Sequence, residues 1–132
     1  MNTILLVEDE TIYIRLFSQL LAKQAGLAVK HSENVDEVIE IAKSGQADMI
    51  LMDVCLRNSR YQGQAIDGIH ITQLIKSHPR SAKIPVILVT ANEIVSDRGN
   101  LLEQSGADGY IAKPVMDYQQ FVNDVLARLP QN

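Results

Sequence analysis

Met49-Ile50-Leu51-Met52-Asp53 is the stretch that decides the fold, because four apolar residues in a row end in an aspartate. A strand with apolar side chains on both faces needs cover on both faces, and this is the situation of a central strand in a parallel sheet. The carboxyl ends of such strands are where open α/β sheets bind their ligands. Asp53 is therefore the first candidate functional residue.

The same arrangement, a polar group directly after an apolar run, occurs three more times in the chain. The stretches concerned are Leu6-Val7-Glu8-Asp9-Glu10, Val89-Thr90-Ala91 and Ala112-Lys113-Pro114. If each run is a strand of one parallel sheet, its polar residue comes to the same edge of that sheet. We therefore expect the carboxylates, the hydroxyl and the lysine to lie together with Asp53.

Around these strands the apolar residues recur at helical spacing, which indicates strands and helices that alternate around a parallel sheet. The predicted strands are Thr3–Val7, Leu27–Lys30, Met49–Met52, Ile84–Val89 and Gly109–Ala112. The predicted helices are Thr11–Ala25, Asn34–Gly45, Gly68–His78, Ile94–Gln104 and Asp117–Leu129. The pattern predicts a doubly wound α/β fold with five strands and five helices.

Length and charge narrow the class of protein. The chain has 132 residues, 46% of them hydrophobic, which is enough for one domain with a buried core. We expect a single domain over residues 1–132, with no effector domain. Its 12 basic and 16 acidic residues give a net charge of -4, and no run of lysine or arginine is present. Direct binding of nucleic acid is therefore not expected.

Cysteine usage and hydropathy bear on the compartment. Cys55 is the only cysteine, so an internal disulfide is excluded and a reducing compartment is favoured. The first residues show no signal-peptide pattern, and no apolar run is long enough to cross a membrane. We expect a cytoplasmic protein that does not enter a membrane.

The acidic residues at the predicted sheet edge call for a cation. The first and third strands of such a sheet are neighbours, so Glu8, Asp9 and Asp53 should converge. Two carboxylates about 4 Å apart at an effective dielectric constant of about 20 repel each other by roughly 4 kcal/mol. A hard divalent cation such as Mg²⁺ offsets this repulsion with oxygen ligands and leaves Asp53 able to act as a nucleophile toward phosphorus.

Phosphoryl transfer also needs groups that balance the charge on the moving oxygens. Lys113 supplies a positive charge, and the proline that follows it fixes where the strand ends. Thr90 supplies a hydroxyl where the apolar core gives way to the site. The four stretches together predict a Mg²⁺-dependent phosphoryl acceptor.

Over its full length the chain resembles the receiver domain of the two-component response regulator family. The residues that carry this resemblance lie at predicted strand ends and are Glu8-Asp9, Asp53, Thr90 and Lys113-Pro114. The chain is similar to the single-domain chemotaxis regulators of that family. The resemblance implies a flavodoxin-like sheet with strand order 2-1-3-4-5. It also implies a signalling domain with weak self-catalysed phosphorylation and dephosphorylation, and not a metabolic enzyme.

The resemblance assigns the metal and the phosphoryl group. Asp53 would accept a phosphoryl group from a histidine kinase or a phosphotransfer protein. Asp9 and Asp53 would bind Mg²⁺, or Mn²⁺ in its place. Glu8 would act through a coordinated water, and the backbone carbonyl of Cys55 would complete the ligand set.

The resemblance also assigns the switch and the output. Thr90 and Tyr110 match the two switch residues, and Lys113 matches the lysine that contacts the phosphoryl group, with a cis Lys113-Pro114 bond. The output would be contact with another protein through the surface of Ile94–Leu129. A homodimer is left open.

One loop departs from the family pattern. Family members usually have a proline four residues after the acceptor, where Arg57 stands here, and Asp67-Gly68 opens the next helix about seven residues late. A tolerated insertion costs little closure entropy. The alternative is that Arg57, Arg60 or Tyr61 folds over the site and changes access to Asp53.

Each candidate also has an ordinary structural explanation. Glu8 and Asp9 could form the solvated beginning of a helix, and Thr90 could be an N-cap. Tyr110 could be an ordinary core residue, and Lys113 could be a surface lysine. These alternatives stay open on sequence alone.

Three other functions compete. A haloacid-dehalogenase-type phosphatase needs a second acid where Cys55 stands. A carrier of flavin mononucleotide needs a glycine- and hydroxyl-rich phosphate loop where Glu8-Asp9-Glu10 would repel a phosphate. A receiver-like binding module that acts without phosphorylation is the remaining alternative.

Overall fold

Five parallel strands form one sheet in the computed structural model, which describes residues 2–56, 60–91 and 98–129. In chain order the strands are β1 (Thr3–Val7), β2 (Ala28–His31), β3 (Met49–Asp53), β4 (Arg60–Tyr61), β5 (Gln64–Ala65), β6 (Val86–Ala91) and β7 (Gly109–Lys113). The sheet order is β2-β1-β3-β6-β7, and β4 pairs with β5 alone. Leaving out that pair, the order is the predicted 2-1-3-4-5, so the fold class is confirmed.

Within the described residues, one α-helix follows each of the five strands of the main sheet. The helices are α1 (Thr11–Gln19), α2 (Val35–Ser44), α3 (Gly68–Ser77), α4 (Arg98–Ser105) and α5 (Tyr118–Arg128), and α1 continues as a π-helical turn over Leu20–Gln24. Asn34, Asp67 and Asp117 cap α2, α3 and α5, since each carboxylate or amide oxygen accepts an N–H three residues further on. The predicted start of the fourth helix at Ile94 lies outside the described residues.

The core has two layers, one on each face of the sheet. Ile50 and Met52 of β3 belong to the layer under α2 and α3, whereas Met49 and Leu51 belong to the layer under α1 and α5. All four side chains are fully buried. Each such burial stabilises the fold by about 1.5–3 kcal/mol, and two-sided burial explains why this strand has no polar residue before Asp53.

Four strands, β2, β3, β6 and β7, end one or two residues later than predicted, and β3 includes Asp53. Thr90 pairs with Ala112 and Ala91 pairs with Lys113, so the ends of β6 and β7 include their polar residues. At its other end β6 begins after Pro85, since Ile84 forms a turn in which its N–H donates to the Ser81 carbonyl. The predicted start of this strand at Ile84 was therefore wrong, because apolar character continued into a turn.

The long connection after Asp53 contains a hairpin that the sequence analysis missed. Its two-residue turn, Gln62-Gly63, has φ values of 53° and 81°, as a type I′ turn requires. The strands have only two residues each, and glutamine is an unusual residue for the first turn position. Tyr61 packs against the core layer under α2 and α3, while Arg60 is exposed.

Neither Arg60 nor Tyr61 forms a hydrogen bond or ion pair with Asp53 in the described part of the chain, and Arg57 lies outside it. The late start of α3 at Asp67-Gly68 is confirmed.

None of the described helices is both long and apolar enough to cross a lipid bilayer.

Candidate functional site

Asp53 is the last residue of β3, and its side chain is only 3% exposed. Its Oδ1 accepts a hydrogen bond from the N–H of Cys55 at 3.2 Å and lies 3.5 Å from Nζ of Lys113. Its Oδ2 is buried and has no hydrogen-bond partner among the described residues. Since an unsatisfied buried polar atom costs about 1–3 kcal/mol, this oxygen marks a place for a ligand.

Glu8 follows β1 and is 1% exposed. Its Oε2 accepts the backbone N–H groups of Asp9 and Glu10 at 3.1 and 3.2 Å, and its Oε1 lies 2.9 Å from Nζ of Lys113. The main-chain oxygen of Glu8 lies 2.8 Å from Nε2 of His31, an arrangement in which the imidazole N–H donates. These contacts hold the acidic loop of residues 8–10 against the end of the sheet.

Lys113 ends β7 and is the cation that faces these carboxylates. Its ammonium lies between Glu8 and Asp53 and 4.3 Å from the ring centroid of Tyr13. Burial by itself lowers the pKa of Lys113, but the carboxylates of Glu8 and Asp53 outweigh it and hold the pKa above its ordinary value. The lysine is therefore charged, and its bond to Pro114 is cis, as the resemblance implied.

One lysine does not balance two buried carboxylates. Burial, and then the neighbouring Glu8, raise the pKa of Asp53 from its ordinary 3.8 to about 7. Lys113 and the N–H of Cys55 oppose this rise without cancelling it. The site thus carries excess negative charge that a cation would offset.

The donor atoms fit a hard divalent cation. One oxygen each from Glu8, Asp9 and Glu10 lies within 4.8 Å of the others. Asp53, whose Oδ2 is buried and has no hydrogen-bond partner among the described residues, is not part of this group of three. An all-oxygen set of this kind suits Mg²⁺. Both oxygens of Glu8 already have partners, which favours an indirect role for it. Glu10 was not predicted as a ligand, and its only signal was its place in a run of three acids.

Thr90 and Tyr110 differ in their relation to this site. Thr90 lies on β6, one residue beyond the partner of Asp53 in the sheet, and its buried hydroxyl has no hydrogen-bond partner within the described ranges. Tyr110 lies two register positions earlier and packs against the core layer under α2 and α3. The structure therefore places Thr90 at the site edge and Tyr110, partly buried, against the core.

Gly68, which the sequence identified only as the start of the next helix, also lies at the site. It begins α3, and its N–H donates to the carbonyl of Val54 at 3.1 Å. A Cβ at this position would collide with the backbone carbonyl of Asp53. Glycine is required here because α3 starts against the main chain of Asp53.

Gly68→Ala is expected to lower the free energy of unfolding by about 1–3 kcal/mol, since the backbone of Asp53 or the start of α3 must shift. Urea denaturation measures the effect. Ser77→Ala, at the exposed far end of α3, is the control and should stay within about 0.5 kcal/mol. Equal stability of Gly68→Ala and the wild type would refute this close contact.

Fold and site together define a receiver-type α/β domain: a doubly wound parallel sheet with an acidic loop, a buried aspartate and a lysine at three strand ends. The family model of the response regulator receiver domain matches residues 4–125. The chain belongs to this family.

Individual relatives cover nearly the whole chain. The polar-differentiation response regulator DivK of Brucella anthropi is 29% identical over 114 residues, which are 86% of this chain and 85% of DivK. The crystal structure of a putative response regulator from Chloroflexus aurantiacus superposes on this chain with a TM-score of 0.79 and 27% sequence identity. The match covers 96% of this chain and 98% of the Chloroflexus chain.

A third relative was solved with a metal. The receiver domain of the sensor histidine kinase PA1611 from Pseudomonas aeruginosa has a TM-score of 0.77 and 29% identity, covering 97% of this chain and 96% of its own. Its structure has a magnesium ion coordinated in the active site cleft.

Proposed function

We propose that the chain is a single-domain response regulator that accepts a phosphoryl group on Asp53 from a histidine kinase or a phosphotransfer protein. The observation that carries this proposal is the buried Asp53 carboxylate, with one unpartnered oxygen and Lys113 3.5 Å from the other. A carboxylate that only stabilised the fold would have both oxygens paired.

In the proposed reaction an oxygen of Asp53 attacks the phosphorus of a phosphohistidine. The new P–O bond forms as the P–N bond breaks, and the histidine nitrogen keeps the electron pair and takes up a proton. Lys113 exchanges its contact with Glu8 for one with a phosphoryl oxygen, and the Thr90 hydroxyl donates to another. The product is an acyl phosphate on Asp53.

The residues proposed to hold Mg²⁺, or Mn²⁺ in its place, are Asp9, Asp53 and the Cys55 carbonyl, with Glu8 acting through water. When bound, the cation supplies the positive charge that the carboxylates and the phosphoryl oxygens lack. The magnesium ion in the cleft of the PA1611 receiver domain supports this assignment.

The proposed output is a change in protein contact. Phosphorylation would shift the population toward a state in which Thr90 moves inward, with Tyr110 as the second switch residue. The output surface proposed is 94–129, of which 94–97 lie outside the described residues. Large exposed hydrophobic side chains in this range, Met116, Tyr118 and Leu126, support a role in binding a partner.

We further propose that the protein works in the cytoplasm.

The test is incubation with phosphoramidate or acetyl phosphate and Mg²⁺, followed by intact-mass measurement. The wild type and the control Asp36→Asn, which changes an exposed acid on α2, should each gain the mass of one phosphoryl group. Asp53→Asn, and the wild type in a chelator, should gain none. Labelling of Asp53→Asn would refute the assignment of the acceptor to Asp53, whereas no labelling of the wild type would favour a module that acts without phosphorylation.

A further inference from the structure

Tyr13 connects the site to the core between α1 and α5. It lies in the first turn of α1, where its N–H donates to the carbonyl of Glu10 at 3.1 Å, and it is half-buried. Its ring centroid lies 4.3 Å from the Lys113 ammonium on one side and 5.4 Å from that of Phe17 on the other. The Phe17 ring in turn stacks on the Phe121 ring, with 4.8 Å between the two centroids.

We propose that Tyr13 is a positioning residue that holds the Lys113 ammonium beside Asp53 while it changes partner from Glu8 to the phosphoryl group. The inference rests on the proposed phosphorylation of Asp53. Tyr13 would contact neither the phosphoryl group nor the metal, and would act only through Lys113.

The physical argument begins with the partner change. The ammonium lies 2.9 Å from Glu8 but 3.5 Å from Asp53, so it must loosen an ion pair to follow charge that develops near Asp53. A hydrogen-bond acceptor at this point would fix the ammonium in one direction. The face of an aromatic ring attracts a cation with little directional preference, so the ammonium keeps this attraction throughout the change.

The ring has a fixed support. Tyr13 and Phe17 are four residues apart on one face of α1, and Phe17 and Phe121 are buried at 0% and 2% exposure. Movement of the tyrosine ring into the core is therefore blocked. Lys113 is confined between this ring and the two carboxylates, and its ammonium is shielded from water at one side.

The expected result is that Tyr13→Leu is phosphorylated by phosphoramidate about three- to tenfold more slowly than the wild type, the range expected for a partly desolvated cation–π contact. Tyr13→Phe keeps the ring face and should recover the rate to within about twofold. Tyr61→Leu is the matched control, because Tyr61 packs on the opposite face of the sheet. The Mg²⁺ affinity of Tyr13→Leu, measured by calorimetry, should equal that of the wild type.

A double-mutant cycle separates positioning from general loss of structure. In a Lys113→Met background, adding Tyr13→Leu should leave the residual rate unchanged, because the residue that Tyr13 positions is gone. Equal rates for Tyr13→Leu and the wild type, or a further fall in the Lys113→Met background, would overturn the proposal.

A readout without phosphorylation tests the contact by itself. The ring current of Tyr13 should shift the ε-methylene proton resonances of Lys113 upfield in the wild type and in Tyr13→Phe, and Tyr13→Leu should abolish the shift. Failure of wild-type labelling would refute the proposed function, and this NMR shift would still decide the positioning. Its absence from the wild type would overturn the inference.

Discussion

Asp53→Asn is expected to increase the free energy of unfolding of the metal-free protein by about 2 to 4 kcal/mol at about pH 8, or roughly 10 °C in the melting midpoint. Asp53 is 3% exposed and faces Glu8, so its negative charge opposes folding. Asparagine removes that charge and keeps an oxygen that accepts the N–H of Cys55. Thermal and urea denaturation in a chelator measure the difference.

The dependence on pH identifies the cause. Folding raises the pKa of Asp53 from 3.8 to about 7, so the folded state binds the proton more tightly than the unfolded state does. The neutral, protonated form of Asp53 stabilises the folded state. This stabilisation is fully present below pH 3.8 and is lost as the pH rises to about 7. The advantage of Asp53→Asn should therefore grow between these two values and stay constant above them.

Millimolar Mg²⁺ should reverse the ranking, because a ligand that binds only the folded state stabilises it and the variant lacks a carboxylate ligand. Asp36→Asn, an exposed acid on α2, is the control and should change stability by no more than about 0.5 kcal/mol. A metal-free Asp53→Asn that is less stable than the wild type at about pH 8 would show that this carboxylate helps to hold the fold together.

The grouping of Asp53, Glu8 and Lys113 follows from a simple rule about sheets. Each residue comes after an apolar run, and parallel strands bring such positions to one edge. Periodicity was sufficient for the alternation of strands and helices, because five apolar runs alternated with five helical patterns, whereas the strand order came from the resemblance to the receiver family. Thr90 could be placed near the site for the same reason as these three residues, although its strand continued two residues further than predicted.

Contacts that depend on tertiary approach could not be predicted. Gly68 is required only because α3 begins against the Asp53 carbonyl, a closeness that no local pattern encodes. Tyr13 had the helical spacing of an ordinary core residue, and only the packing of α1 beside β7 shows its ring at Lys113. The turn at Gln62-Gly63 was missed since its strands are too short to show alternation.

Lys113→Met is expected to have the opposite effect on stability to Asp53→Asn. Glu8 and Asp53 would be left buried without their cation, and breaking such a pair from one side is more costly than replacing it whole. We expect the metal-free protein to lose about 2 to 4 kcal/mol of unfolding free energy at about pH 8. Methionine is chosen because it preserves most of the side-chain volume beside Tyr13.

The same variant should be phosphorylated by phosphoramidate about 100-fold or more slowly in saturating Mg²⁺, because one preorganised positive group is missing from the transition state. Intact-mass time courses measure this rate. Lys23→Met is the control: Lys23 is exposed in the π-helical turn that continues α1, so its loss should change neither stability nor rate by a measurable amount.

Combining Lys113→Met with Glu8→Gln should restore much of the lost stability and none of the lost rate. The stability loss arises from two uncompensated carboxylates, of which the glutamine removes the one nearer to Lys113, whereas the rate loss arises from the missing ammonium, which it does not replace. A Lys113→Met protein as stable as the wild type would mean that the lysine is an ordinary surface residue. If the double variant also regained the rate, the role of Lys113 in phosphoryl transfer would be refuted, because the ammonium would then serve only to balance Glu8.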